Sequence, residues 1–132
     1  SRLSDNFLEG SGSSTTTDET RVPASQIGAS AKASLFQAVA RQLRPHWRPV
    51  DGADREKLVS RIRFRLNPDG TLAGAPSLLG QRGETEANRA QAPRHAENAI
   101  RAVQLAAPFD LPPEYYEAWK TVTVDFDWNL SR

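Results

Sequence analysis

The sequence predicts an α+β fold, a two-layer sandwich in which helices pack on one face of a three-stranded antiparallel sheet of order 2-1-3. Three observations carry this expectation. Two segments repeat apolar residues at helical spacing, each with a single apolar face. Two others alternate apolar and polar residues with period two. The polar faces of those alternating segments carry opposite charges, arginine on one and aspartate on the other, which favours pairing them side by side.

Residues 1–30 contain SGSSTTTDET from Ser11 to Thr20, a Ser/Thr/Gly-rich run with too little apolar content to offset the entropy of ordering it, and are read as a flexible linker. Leu3, Phe7 and Leu8 are its apolar exceptions. From Ser30 onward, Leu35, Phe36, Val39, Ala40 and Leu43 form the apolar stripe of a first helix, and Pro45 disfavours helical geometry at Arg44, so the helix ends near Leu43. The stiff segment Pro45-His46-Trp47-Arg48-Pro49 then holds an indole against the end of that helix.

In LVSRIRFRL, residues 58–66, Leu58, Ile62, Phe64 and Leu66 share one face while Val59, Arg61, Arg63 and Arg65 share the other, defining strand one. Asn67-Pro68-Asp69-Gly70 follows, with the residue types that a tight turn demands. Strand two is therefore expected from Thr71 and Leu72 to near Leu79, weakened at Gly74 and Pro76. Residues 80–92, GQRGETEANRAQA, read as a polar loop, and Pro93 suits the first turn of a second helix. That helix buries Ala96, Ile100, Val103 and Ala107, and Pro108 ends it. After Leu111-Pro112-Pro113, strand three points Val122, Val124, Phe126 and Trp128 one way and Thr121, Thr123, Asp125 and Asp127 the other. Asp125 and Asp127 would then lie opposite Arg61, Arg63 and Arg65, making strand one central and strand three an edge.

Composition excludes several functions. With 17 basic and 16 acidic residues the net charge is +1, so no bulk field draws the chain to nucleic acid or an anionic membrane, and any charge effect must be local. Cysteine is absent, which removes disulfides, thiolate metal sites and cysteine nucleophiles. No apolar run approaches the roughly 20 residues that span a bilayer, and the start at Ser1 reads as that of an excised fragment, expected to be monomeric. His46 and His95 are the only imidazoles, neither has partners at catalytic or metal-ligating spacing, and both read as incidental surface residues. No catalytic residue, metal ligand or cofactor site is expected, and an enzyme is not. Gly10 to Thr17 resembles a phosphate loop only superficially, lacking its lysine and preceding strand. Phe64 lies on the opposite face from the arginines, so the interleaved stacking of single-strand nucleic-acid binders is missing.

What remains is the sheet edge. Strand three offers backbone donors and acceptors along Thr121, Val122, Thr123, Val124, Asp125, Phe126 and Asp127, and an extended partner segment can add there as a further strand. Tyr115, Tyr116 and Trp119 flank it and are expected to supply selectivity; Tyr115 and Trp119, four residues apart on a short helix, serve equally well to cap the core.

The helix with Trp47, the strand of residues 58–66, the helix of residues 96–107 and the ordered series Asp69-Gly70, Ala107-Pro108-Phe109, Leu111-Pro112 and Val124-Asp125-Phe126 together resemble the carboxy-terminal domain of the TolA/TonB family over about residues 31–130. The resemblance implies a periplasmic module at the end of a stalk, within a parent chain anchored in the inner membrane and coupled to a proton-driven motor. It implies contact with TolB and the Pal lipoprotein system, support of outer-membrane integrity during cell division, and exploitation by colicins and filamentous phage coat protein. Residues 1–30 would be the last part of the stalk. This chain cannot form the disulfide of some TolA domains. It carries Trp47-Arg48-Pro49 and Ser77-Leu78-Leu79-Gly80 where TonB-like domains usually show a Tyr-Pro and a Ser-Ser-Gly, which favours TolA over a TonB-like transducer of outer-membrane receptors.

Overall fold

A computed structural model describes residues 21–132. The apolar triplet Leu3, Phe7 and Leu8, the Ser/Thr-rich run and the rest of residues 1–20 lie outside it. Within the described part of the expected linker, Ala24–Gln26 form a 3-10 turn, Ile27 is buried, and the Val22 amide donates to the Glu114 carbonyl at 2.8 Å, so this stretch packs on the domain.

Three helices are named here: α1 (Ala29–Leu43), α2 (Ala92–Ala106) and the single turn α3 (Tyr116–Trp119). Three strands, β1 (Val59–Arg65), β2 (Ser77–Arg82) and β3 (Thr121–Phe126), form one antiparallel sheet of order β2-β1-β3, as the charge and hydropathy patterns require. Ser60, Ile62 and Phe64 of β1 and Val122, Val124 and Phe126 of β3 face inward and are buried, joined by Leu35, Val39 and Leu43 of α1 and by Ala99, Ala102 and Val103 of α2.

Trp47 follows α1 and is buried edge-on against both Phe126 and His95, with ring centroids 5.1 and 5.0 Å away. Its indole Nε1–H donates to the Asp127 carbonyl at 2.9 Å, tying the end of α1 to the end of β3. At the opposite end of the sheet, the turn at Gly70 closes on the segment after α2. Gly70 has φ +88° and its carbonyl accepts from the Phe109 amide at 2.8 Å. A Cβ there would sit 2.0 Å from the Phe109 carbonyl oxygen, so only glycine allows both the turn and the approach.

Several elements differ from expectation. Leu72 makes only an isolated bridge with Leu66; the chain then leaves the sheet and re-enters as β2 at Ser77, with a bulge near Leu79. The positive φ of Gly74 (+102°) and the missing amide hydrogen of Pro76 break the ladder instead of merely weakening it. The expected polar loop thus contributes three residues to β2, because Gln81, the inward one, spends its amide on the Ser60 hydroxyl (2.9 Å) and the Ala92 carbonyl (2.7 Å).

The remainder of that loop is ordered around buried Asn88. Its side chain donates to the Asp54 and Gly83 carbonyls at 2.9 and 3.1 Å and accepts from the Thr85 amide at 2.7 Å. Helix α2 begins a turn earlier than its apolar residues indicate, with Pro93 in its first turn. It buries a face of small residues, Ala92, Ala96, Ala99 and Ala102, together with His95 and Val103, leaving Ile100 half-buried at the flank. Strand β3 stops at Phe126, because the Asp127 carboxylate accepts from the Leu130 amide at 2.9 Å and turns the chain. Trp128 therefore does not continue the inward row; it lies under the Arg55 guanidinium, 4.6 Å from its ring centroid.

Candidate functional site: the outer edge of strand β3

The site is built from the backbone outward. In an antiparallel pair, directly opposed residues alternate between those that exchange hydrogen bonds and those whose amides and carbonyls point away. The Leu66 amide donates to the Lys120 carbonyl at 2.8 Å, which sets the phase. Continuing along the β1–β3 register, Val122, Val124 and Phe126 turn their backbone groups toward β1, while Thr121, Thr123 and Asp125 turn theirs to the open side. Since β3 ends the sheet order, those groups meet no further strand among the described residues.

Helix α1 walls this edge. A groove of about 420 Å³ is lined by Phe36, Ala40 and Arg44 on one side and by Thr123, Asp125 and Asp127 on the other. A second of about 210 Å³ continues it past Lys32, Leu35 and Val39, facing Thr121, Val122 and Thr123. Phe36 lines both and is 47% exposed, among the largest apolar groups that the described domain leaves in solvent. A single extended segment lying in this channel would bond to the edge of β3 and cover Phe36.

The expected site residues fall into two groups. Thr121, Thr123 and Asp125 line the channel with backbone groups outward; Val122, Val124 and Phe126 hold the same strand in the core, and Asp127 stands at the channel's far end. The aromatic cluster lies elsewhere. Trp119 is buried with its Nε1–H donating to the Pro112 carbonyl at 2.8 Å, so it cannot meet a partner as a surface side chain. Tyr116 packs edge-on against Trp119 at 4.8 Å and donates its hydroxyl to the Leu66 carbonyl at 2.7 Å, while Tyr115 is half-buried against the core. These side chains cap the core and fix where β3 begins. The exposed ring beside the strand edge is instead Phe36, and its place at the margin of the α1 apolar stripe was the available signal.

Charge on the strand is arranged less evenly than its sequence implies. Asp125 accepts from Arg61 Nε at 2.9 Å and from Arg82 Nη2 at 3.2 Å, and these hydrogen bonds, that of Arg61 foremost, hold its carboxyl below the usual aspartate value. Arg63 and Arg65 instead face Thr123 and Thr121, because the register that sets Arg61 opposite Asp125 carries position 127 beyond Arg61, toward Val59, and Asp127 turns out of the strand there.

His95, expected at the surface, is buried. Its Nδ1 lies 2.7 Å from the Ser60 hydroxyl, whose oxygen also accepts from Gln81. Burial pushes its pKa down to about 4, against a smaller opposing pull from Asp127. A serine and a histidine in contact invite a catalytic reading, but both are closed off from substrate by the core that surrounds them. Among the described residues no group of three or more His, Asp or Glu side chains is placed to hold a metal ion, and no helix is long and apolar enough to cross a membrane.

Fold and site together define a class: a small α+β module that presents one strand edge beside an apolar helix wall. No family model, curated protein or solved structure matches the chain.

Proposed function

We propose that this chain is a protein-binding domain that takes an extended partner segment as a fourth strand on β3, and that it serves as the periplasmic end of a TolA-like envelope-spanning energy transducer. The observation that carries the binding mode is the outward row of backbone groups at Thr121, Thr123 and Asp125 facing exposed Phe36 across a channel. Backbone pairing supplies affinity with little regard to sequence, and the Phe36 side of the channel selects for an apolar residue in the partner. The TolA-like assignment rests on the order of motifs in the sequence. In that role the partner is the amino-terminal segment of a TolB-like protein, and the contact couples the inner-membrane motor to the Pal system at the outer membrane.

The test is titration of a TolB-type amino-terminal peptide into the chain by calorimetry. Saturable binding that weakens about tenfold in Phe36→Ala, the loss of one apolar anchor, is the expected result. Binding that Phe36→Ala leaves unchanged removes the channel from the account, and no binding by either protein removes the TolB-like partner.

A further inference from the structure

We infer that the solvent face of the sheet is a second docking surface, for the phosphate headgroups of an anionic lipid bilayer. Arg61, Arg63 and Arg65 project from β1 on this face, successive side chains about 7 Å apart. Arg82 of β2 joins them through its shared contact with Asp125. Asp125 is the one carboxylate these guanidiniums engage among the described residues; Arg63 and Arg65 have no ion-pair partner there.

The shape of the face decides between kinds of anionic partner. It is the middle of a sheet, and the residues opposite the arginines are Thr121, Thr123, Asp125, Ser77 and Gly80, all shorter than arginine, so the guanidiniums of Arg63 and Arg65 stand highest. An acidic peptide needs an edge or groove to order it, whereas a bilayer needs only a raised array of cations. Leu79, at the bulge of β2 and 44% exposed, lines a shallow groove with Arg61 and Arg82. Basic and apolar groups side by side are what interfacial binding uses, the one for phosphate and the other for the acyl boundary. Guanidinium forks match phosphate oxygens in pairs.

Co-sedimentation of the full chain with vesicles tests this. Vesicles of phosphatidylcholine and phosphatidylglycerol in roughly equal parts are expected to retain the protein at ~50 mM salt and release it at ~300 mM, and pure phosphatidylcholine to retain none. Arg63→Ser with Arg65→Ser lowers the partition coefficient about 30-fold, while Arg63→Lys with Arg65→Lys keeps most of it. Circular dichroism confirms that both variants fold. The proposal is overturned by failure to bind anionic vesicles at low salt, by unchanged binding of the folded serine variant, or by tighter binding to polyglutamate than to the vesicles. Retention of free glycerol 3-phosphate at these residues without vesicle binding also overturns it, since the site would then serve a soluble phosphate.

Discussion

His95 shows how one residue can tie stability to pH. Its imidazole has an ordinary pKa of 6.5 and is pushed down to about 4 by burial beside Trp47 and Ser60. The unfolded chain therefore binds a proton between those two values that the native state refuses. Stability is complete above about pH 6.5 and falls as pH drops toward 4. The loss is on the order of 2 kcal/mol, measurable by urea unfolding across that range, and His95→Gln should remove most of it. Asp125 works in a separate window: its depressed carboxyl adds stability above the ordinary aspartate value of 3.8 that is lost only as pH falls below it. Gly70 carries a different constraint. Gly70→Ala forces a side chain into positive φ and against the Phe109 carbonyl, and is expected to cost at least ~2 kcal/mol in thermal or urea unfolding. A variant within ~0.5 kcal/mol of the parent would show that the turn can move away from Phe109.

The division of labour along β3 can be read at the scale of the element. Val122, Val124 and Phe126 bind the strand to the core and to β1, while the alternate residues leave their backbone groups outward. Thr123→Pro removes an outward amide and no ladder bond, so the domain should stay within ~1 kcal/mol of its stability while peptide affinity drops at least tenfold. Loss of folding in that variant would mean that the Thr123 amide is engaged within the domain. Strand β3 was legible because its period of two is uninterrupted and because Arg61 and Asp125 announce each other across the sheet. Strand β2 was not: between Thr71 and Arg82 no alternation survives, and a polar residue such as Gln81 becomes an inward strand residue only because Ser60 and the Ala92 carbonyl accept from it. Helical periodicity likewise placed α1 but could not show how wide a stripe the sheet would cover, and so could not foretell that Phe36 stays out. His95 was missed for the same reason, since its partners come from β1 and the segment around Trp47, far away in sequence.

For the whole molecule, the two ends of the sheet are fixed by different contacts, Trp47 to Asp127 at one and Gly70 to Phe109 with Tyr116 to Leu66 at the other. β3 and α1 are thus held as two walls of a channel built before any partner arrives, and a preformed site loses little ordering entropy on binding. Arg63 and Arg65 lie outside that channel, whereas Arg61 and Asp125 line it and also belong to the solvent face, so the two proposed surfaces meet at these residues. In the proposed binding mode an extended segment adds to the outer edge of β3. Amide chemical-shift mapping during titration with a TolB-type amino-terminal peptide tests it most directly. The largest shifts are expected at Thr121, Thr123, Asp125 and Phe36, with new exchange protection at the three strand amides; shifts confined to Ser77–Arg82, on the opposite edge, would show that the segment does not add to β3.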